Sequence, residues 1–283
     1  HRLLTDQETI MRLETHTLNE LHSFRYCGES PKYALVISHG LGGHGGIYDN
    51  FCEHHADKGV DIWTYDAPGH GRSTTNRPKG QWRFSEWAQA SMDYASYVKK
   101  LTGLPVFTMG SSLGVGAAIS AISHEDVAGA ILMGSVVIPG HPVFDEIGKP
   151  FRTEGWAEAV KLFQGAGVMD IRRYFNFDVD YGYRGAQAQK ELDPYNTWTY
   201  DLESWASLWQ YQPPKPLSEN DKPILYTVGD SDPTFPLELV QSVATSIAGP
   251  VDFVPFENAG HQLMLFHTEK FSNTVHDWAL KQI

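Results

Sequence analysis

Two adjacent serines, Ser111 and Ser112, lie in the sequence GSSLG at residues 110–114. The pattern G-x-S-x-G is typical of a nucleophile elbow, a strained turn between a strand and a helix that exposes a serine hydroxyl. The apolar sequence PVFTM before it predicts the strand, and GAAISAIS after it predicts the helix. Ser112 is the central residue of this pattern, so we predict that it is the nucleophile. The alternative is a tight turn without chemistry.

A serine hydroxyl needs a base to take its proton, and His261 is the predicted base. It follows the predicted strand VDFVPF, so a loop can bring its imidazole over the elbow. A carboxylate must orient that base, and both Asp230 and Asp232 follow the predicted strand ILYTVG. We favour Asp232, because it lies further from the strand end and Pro233 stiffens the backbone after it. The resulting order, serine then aspartate then histidine, is one of the known orders of such a triad.

Acyl transfer also needs backbone N–H groups that bind the oxyanion of the tetrahedral intermediate. The amide of Leu113, at the start of the helix after the elbow, is one predicted donor. The amide of Leu41 is the other, and it lies in HGLGGHGG, residues 39–46, here called the glycine loop. A phosphate-binding loop is the alternative, but the GxxxxGK[ST] pattern is missing. The spacing of the histidines predicts no metal site.

These residues must be positioned by a mostly parallel sheet, because predicted strands and helices alternate along most of the chain. The sequence THTLNELHSFRY before them predicts one or two antiparallel strands. The alternation stops over residues 138–221, which are rich in aromatic side chains and include four tryptophans. We predict that this lid segment is a mostly helical insertion over the sheet, and that residues 1–137 and 222–283 form the core domain.

Composition narrows the classes of partner. The 283 residues carry a net charge of −12, which disfavours nucleic acid and anionic lipid surfaces. With only Cys27 and Cys52, a reducing compartment is favoured, and a single disulfide between them is the alternative. No apolar run is long enough to span a bilayer, and the N-terminal HRLLTDQETIMRL is too polar for a signal sequence. We therefore predict a cytoplasmic protein.

The motifs together resemble those of the α/β-hydrolase superfamily over nearly the whole chain. HGLGGHGGIYDNF, YDAPGHGRS, GSSLG, GDSDPTFP and NAGHQ follow in the family's order and spacing. The first two look most like the monoacylglycerol lipase and lysophospholipase branch, which includes serine aminopeptidase S33-like proteins. The resemblance implies the α/β-hydrolase fold, with Ser112 as nucleophile, Asp232 as acid, His261 as base, and the amides of Leu41 and Leu113 as oxyanion donors. That branch usually has a histidine where this chain has Ser111.

The resemblance and the triad predict a serine esterase without a cofactor. Its substrate would be a small ester with an apolar acyl or aryl group, because aromatic lid side chains favour burial of hydrocarbon. Transient lipid contact through the lid segment is a further expectation. The alternatives are hydrolysis of a lactone, a carbamate or a carbon–carbon bond by the same triad, and a receptor that turns its ligand over slowly.

Overall fold

A computed structural model describes residues 12–164, 166 and 168–283. Its main sheet has eight strands in the spatial order β1-β2-β4-β3-β5-β6-β9-β10. The strands are β1 (Arg12–Leu18), β2 (Leu21–Cys27), β3 (Tyr33–Ser38), β4 (Val60–Tyr65), β5 (Val106–Ser111), β6 (Val127–Met133), β9 (Ile224–Gly229) and β10 (Val251–Phe256). The β1-β2 and β2-β4 pairs are antiparallel and the other pairs are parallel, so the predicted mostly parallel sheet is confirmed.

Helices cover both faces of this sheet. Those that connect or follow its strands are α1 (Asp49–Ala56), α2 (Phe84–Thr102), α3 (Gly114–Ser120), α9 (Leu237–Ala244), α10 (Leu263–Phe266) and α11 (Thr268–Leu280). Alternate residues of β3 point to opposite faces: Leu35 packs with the cluster that includes α1 and α11, whereas Val36 packs with the cluster that includes α2. Every residue of β3 is buried, which explains its continuous apolar sequence.

The lid segment interrupts the sheet between β6 and β9. It contains five α-helices among the described residues, together with a two-stranded antiparallel pair. These elements are α4 (Pro142–Gly148), α5 (Glu154–Leu162), β7 (Met169–Asp170), α6 (Phe177–Tyr181), α7 (Ala186–Lys190), β8 (Thr199–Tyr200) and α8 (Leu202–Gln210). Helices are the main regular structure of the described part of this segment, while its role as a lid and its division from the core as a separate domain stay predictions.

Several expectations concern single residues or the chain ends. Cys27 and Cys52 are both free thiols, so the alternative of a disulfide between them is wrong. Among the described residues, every helix is too short or too polar to cross a membrane. The prediction that the N-terminus lacks a signal sequence falls largely on residues 1–11, outside the described residues.

Candidate active site

Ser112 lies at the sharp turn between β5 and α3. Its φ is +52°, in the left-handed region that residues other than glycine rarely adopt. Its N–H donates to the carbonyl of Met133 at 3.1 Å, which ties the turn to β6. A side chain at Gly110 would place its Cβ 2.4 Å from the carbonyl oxygen of Gly114, and one at Gly114 would meet the carbonyl oxygen of Ser38 at 2.2 Å. The two flanking glycines are therefore required by close backbone packing, as an elbow needs.

His261 and Asp232 form a buried hydrogen-bonded pair. The Nδ1 of His261 lies 2.8 Å from Asp232 Oδ2, and both side chains are shielded from solvent. A carboxylate only accepts, so Nδ1 carries the proton and Nε2 of the neutral ring is left with a lone pair. The other oxygen of Asp232 accepts the backbone N–H groups of Thr234 at 2.8 Å and Phe235 at 2.9 Å. The carboxylate is thus held on both sides and fixes the imidazole.

Asp230, the other candidate for the carboxylate, is exposed and has other hydrogen-bond partners. Its Oδ1 accepts the hydroxyl of Ser231 at 3.0 Å and the backbone N–H of Ala259 at 3.3 Å. Those bonds shape the loop that leads to His261 but do not reach the imidazole. The geometry thus favours Asp232 as the partner of the base.

A second carboxylate, that of Asp180 in α6, faces the other ring nitrogen. Its Oδ1 lies 3.9 Å from His261 Nε2 and also accepts the hydroxyl of Thr234, while Gln262 Nε2 lies 3.4 Å from its Oδ2. Burial alone lowers the pKa of His261. The hydrogen bond to Asp232 and the negative charges of Asp180 and Asp232 outweigh it, so the pKa is raised above 6.5. The sequence carried no signal for Asp180, because nothing in FNFDVDY predicts which aspartate faces the base.

The sequence-predicted residues surround one cavity of about 360 Å³. Ser112, His261, Leu41 and Leu113 line it directly, and Asp232 lies behind His261. The remaining wall is mostly apolar, and half of its residues come from the lid segment. It includes Ile147, Phe151, Phe175, Phe177, Trp205 and Trp209. The arrangement can hold an apolar group beside a serine hydroxyl, a base and two backbone amides.

The histidines of the glycine loop bind protein atoms. His39 Nδ1 donates to the carbonyl of Gly40 at 2.9 Å, and its Nε2 accepts the N–H of Ala67 at 3.1 Å. His44 Nε2 lies 2.7 Å from Asp193 Oδ2. Among the residues that the structure covers, no group of histidine, cysteine and carboxylate side chains is arranged to hold a metal ion.

The sequence matches one protein family over most of its length and a curated relative over part of it. The family model described as serine aminopeptidase, S33, matches residues 29–265. A monoglyceride lipase homolog of Monkeypox virus is 33% identical over 110 residues, which cover 38% of this chain and 40% of the viral protein. The match therefore spans well under two thirds of that relative's length.

Solved structures resemble nearly the whole chain, and two of them are lipases of known name. The monoacylglycerol lipase of Paleococcus ferrophilus superposes with a TM-score of 0.69 at 19% identity, covering 93% of this chain and 99% of that one. A soluble variant of monoglyceride lipase from Saccharomyces cerevisiae gives a TM-score of 0.72 at 16% identity, covering 98% and 97%. At these identities the likeness establishes the fold, so the expected α/β-hydrolase fold is confirmed.

Proposed function

Because the chain belongs to the serine aminopeptidase S33 family, we propose that it is a serine hydrolase that cleaves carboxylic esters of apolar acyl or aryl groups. The observation that carries the proposal is the buried pair of His261 and Asp232 at the same cavity as Ser112 on its strained turn. The bond to Asp232 leaves His261 Nε2 with the lone pair that a general base needs, and His261 lines the cavity together with Ser112.

In the proposed reaction, Ser112 Oγ attacks the ester carbonyl carbon while His261 Nε2 takes its proton. The carbonyl π electrons move to oxygen, and the amides of Leu41 and Leu113 bind the resulting oxyanion. As the tetrahedral intermediate collapses, the bond to the alkoxy oxygen breaks and His261 gives its proton to the departing alcohol. Asp232 stabilises the imidazolium throughout.

The acyl-enzyme is then hydrolysed by the same groups. His261 takes a proton from water, the hydroxide oxygen attacks the acyl carbon, and collapse of the second intermediate returns the proton to Ser112. The products are a carboxylic acid and an alcohol, so the steps need no co-reactant besides water. The apolar wall of the lid segment supports an apolar acyl or aryl group as the occupant of the cavity.

Labelling with a fluorophosphonate and turnover of p-nitrophenyl esters test the proposal. We expect wild type to be labelled and to hydrolyse the esters, and Ser112→Ala to lose labelling and at least about 10³-fold of kcat. Ser111→Ala should keep its labelling, because Ser111 ends β5 and lies outside the elbow's central position. Labelling that survives in Ser112→Ala would contradict the assignment of the nucleophile. A cytoplasmic location and lipid contact through the lid segment stay predictions.

A further inference from the structure

The backbone of Gly42, directly after Leu41, is held by the lid segment through both of its polar groups. The N–H of Gly42 donates to the hydroxyl of Tyr200 at 2.8 Å, and its carbonyl accepts the N–H of Thr197 at 2.8 Å. The φ of Gly42 is +68°, and a Cβ there would lie 2.7 Å from Ile171 Cδ1. The glycine loop is therefore closed against residues of the lid segment, of which Tyr200 lies 158 positions later in the chain.

The hydroxyl of Tyr200 is fixed by a second partner. It lies 2.7 Å from His70 Nε2, while His70 Nδ1 lies 3.0 Å from the carbonyl of Pro68. A carbonyl only accepts, so Nδ1 carries the proton and Nε2 accepts the tyrosine's proton. Burial holds the pKa of His70 well below 6.5, which keeps Nε2 available as an acceptor. The tyrosine oxygen thereby presents a lone pair to Gly42 in one defined direction.

The peptide before Leu41 is fixed from the core side. The carbonyl of Gly40 accepts both His39 Nδ1–H at 2.9 Å and the N–H of Gly43 at 3.2 Å. In a trans peptide the C=O and the following N–H point in opposite directions, so these bonds also set the direction of the Leu41 N–H. The peptide after Leu41 carries the N–H that Tyr200 holds. Both peptide planes that flank the Leu41 Cα are thus anchored, one by His39 and one by Tyr200.

We propose that Tyr200 is a positioning residue for the oxyanion site, through which the lid segment holds the Leu41 amide in its working direction. This inference rests on the proposed ester hydrolysis, in which that amide binds the oxyanion. Tyr200 itself is fully buried and bonds to Gly42, not to the cavity. Its effect therefore falls on the tetrahedral intermediate, where the oxyanion forms, and not on binding of the ground-state ester.

Tyr200→Phe keeps the ring and removes only the hydroxyl. We expect kcat for a p-nitrophenyl ester to fall about ten- to hundredfold while KM changes less than about twofold. This fall in kcat is smaller than the fall that complete removal of an oxyanion donor causes. The Ki of a trifluoromethyl ketone, which forms a tetrahedral adduct with the serine, should rise by the factor by which kcat/KM falls. A merely structural role would not link these two quantities.

Tyr94→Phe is the matched control, because Tyr94 is also buried and its hydroxyl donates to the carbonyl of Leu21 at 2.9 Å, away from the loop. It should keep kcat and Ki, with a loss in melting temperature similar to that of Tyr200→Phe. If Tyr200→Phe does not fold, His70→Leu removes the acceptor of the same hydroxyl and should weaken kcat and inhibitor binding in parallel.

Unchanged kcat in the folded variant, or a lower kcat without weaker inhibitor binding, would overturn the inference. Ser112-dependent turnover in wild type would still stand in that case, and with it the proposed function. Wild type without such turnover would overturn both.

Discussion

Two parts of the cavity are held in place by different forces. We call one part the floor, which is the glycine loop with Ser112, Asp232 and His261, and the other part the roof, which is the aromatic side chains of the lid segment. On the floor, backbone and side-chain hydrogen bonds of 2.7–3.2 Å hold the glycine loop and the pair of Asp232 and His261. In the roof, aromatic rings of the lid segment pack on one another, as where Phe151 stacks on Trp209 with centroids 5.4 Å apart. Directional bonds fix atoms for chemistry, whereas apolar contacts set only shape and hydrophobicity. Rate should therefore depend on the floor and on the groups that bond to it, Tyr200 of the lid segment among them, whereas chain-length preference should depend on the aromatic rings of the roof.

The largest expected effect is the loss of kcat when Asp232, a residue of the floor, is replaced. Asp232→Asn should lower kcat by about 10³- to 10⁴-fold, because the amide can present its NH₂ to Nδ1 and leave the imidazole in the wrong tautomer. The measurement is kcat for a p-nitrophenyl ester. Asp230→Asn is the matched control and should lose far less, since that carboxylate is exposed and does not touch His261. Equal losses of kcat in the two variants would contradict the assignment of Asp232 as the partner of His261.

A smaller effect tests the roof. Phe175 lines the cavity, and Phe175→Ala should lower kcat/KM for long-chain acyl esters by about tenfold by removing apolar contact area. Short-chain esters should be affected much less. Tyr174→Ala, at the neighbouring position that is 68% exposed, is the control and should leave the chain-length profile as it is. An equal fall in kcat/KM for all chain lengths would contradict this prediction, because it would mean that Phe175 affects the catalytic groups and not the binding of the acyl chain.

The smallest effect concerns Asp180, the carboxylate of the lid segment that lies 3.9 Å from His261 Nε2. His261 acts as a base only when it is unprotonated, so kcat/KM rises with pH through its pKa. Asp180 raises that pKa, and Asp180→Asn should therefore move the acidic limb of the kcat/KM profile to lower pH. Glu158→Gln removes the same charge from an exposed position in α5 and should leave the limb in place. A shift to higher pH in Asp180→Asn would contradict the electrostatic contact.

The sequence signals for the proposed catalytic residues are local. Ser112, Asp232 and His261 each follow an apolar strand by a few residues, and the ends of parallel strands meet at one edge of a sheet. The turn in DAPGHGRS, another motif of the resemblance, is held by the carboxylate of Asp66, which accepts the N–H groups of Gly45 and Arg72.

The contacts that residues of the lid segment make with the core could not be predicted from the sequence. Its aromatic content predicted an apolar wall, but the positions of Asp180 and Tyr200 depend on how short helices and a two-residue strand pack onto the core. Tyr200 contacts Gly42 across 158 positions, and no periodicity records such a pairing. Long-range packing of irregular segments is decided by tertiary fit, which leaves no repeated pattern in the sequence.

The buried histidines that hold the floor also govern how the protein responds to acid. Burial lowers the pKa of His39 to about 4 and holds that of His70 well below 6.5. It also lowers to about 3 the pKa of His55, which lies in α1 and bonds to Tyr33 and Ser272, away from the floor. In the unfolded chain these rings titrate near 6.5, so unfolding takes up protons once the pH falls below that value. Their contribution to stability is present above pH 6.5 and declines as the pH falls. Proton uptake on unfolding and protonation of His261 thus act in the same direction, so acid weakens the fold and the catalyst together.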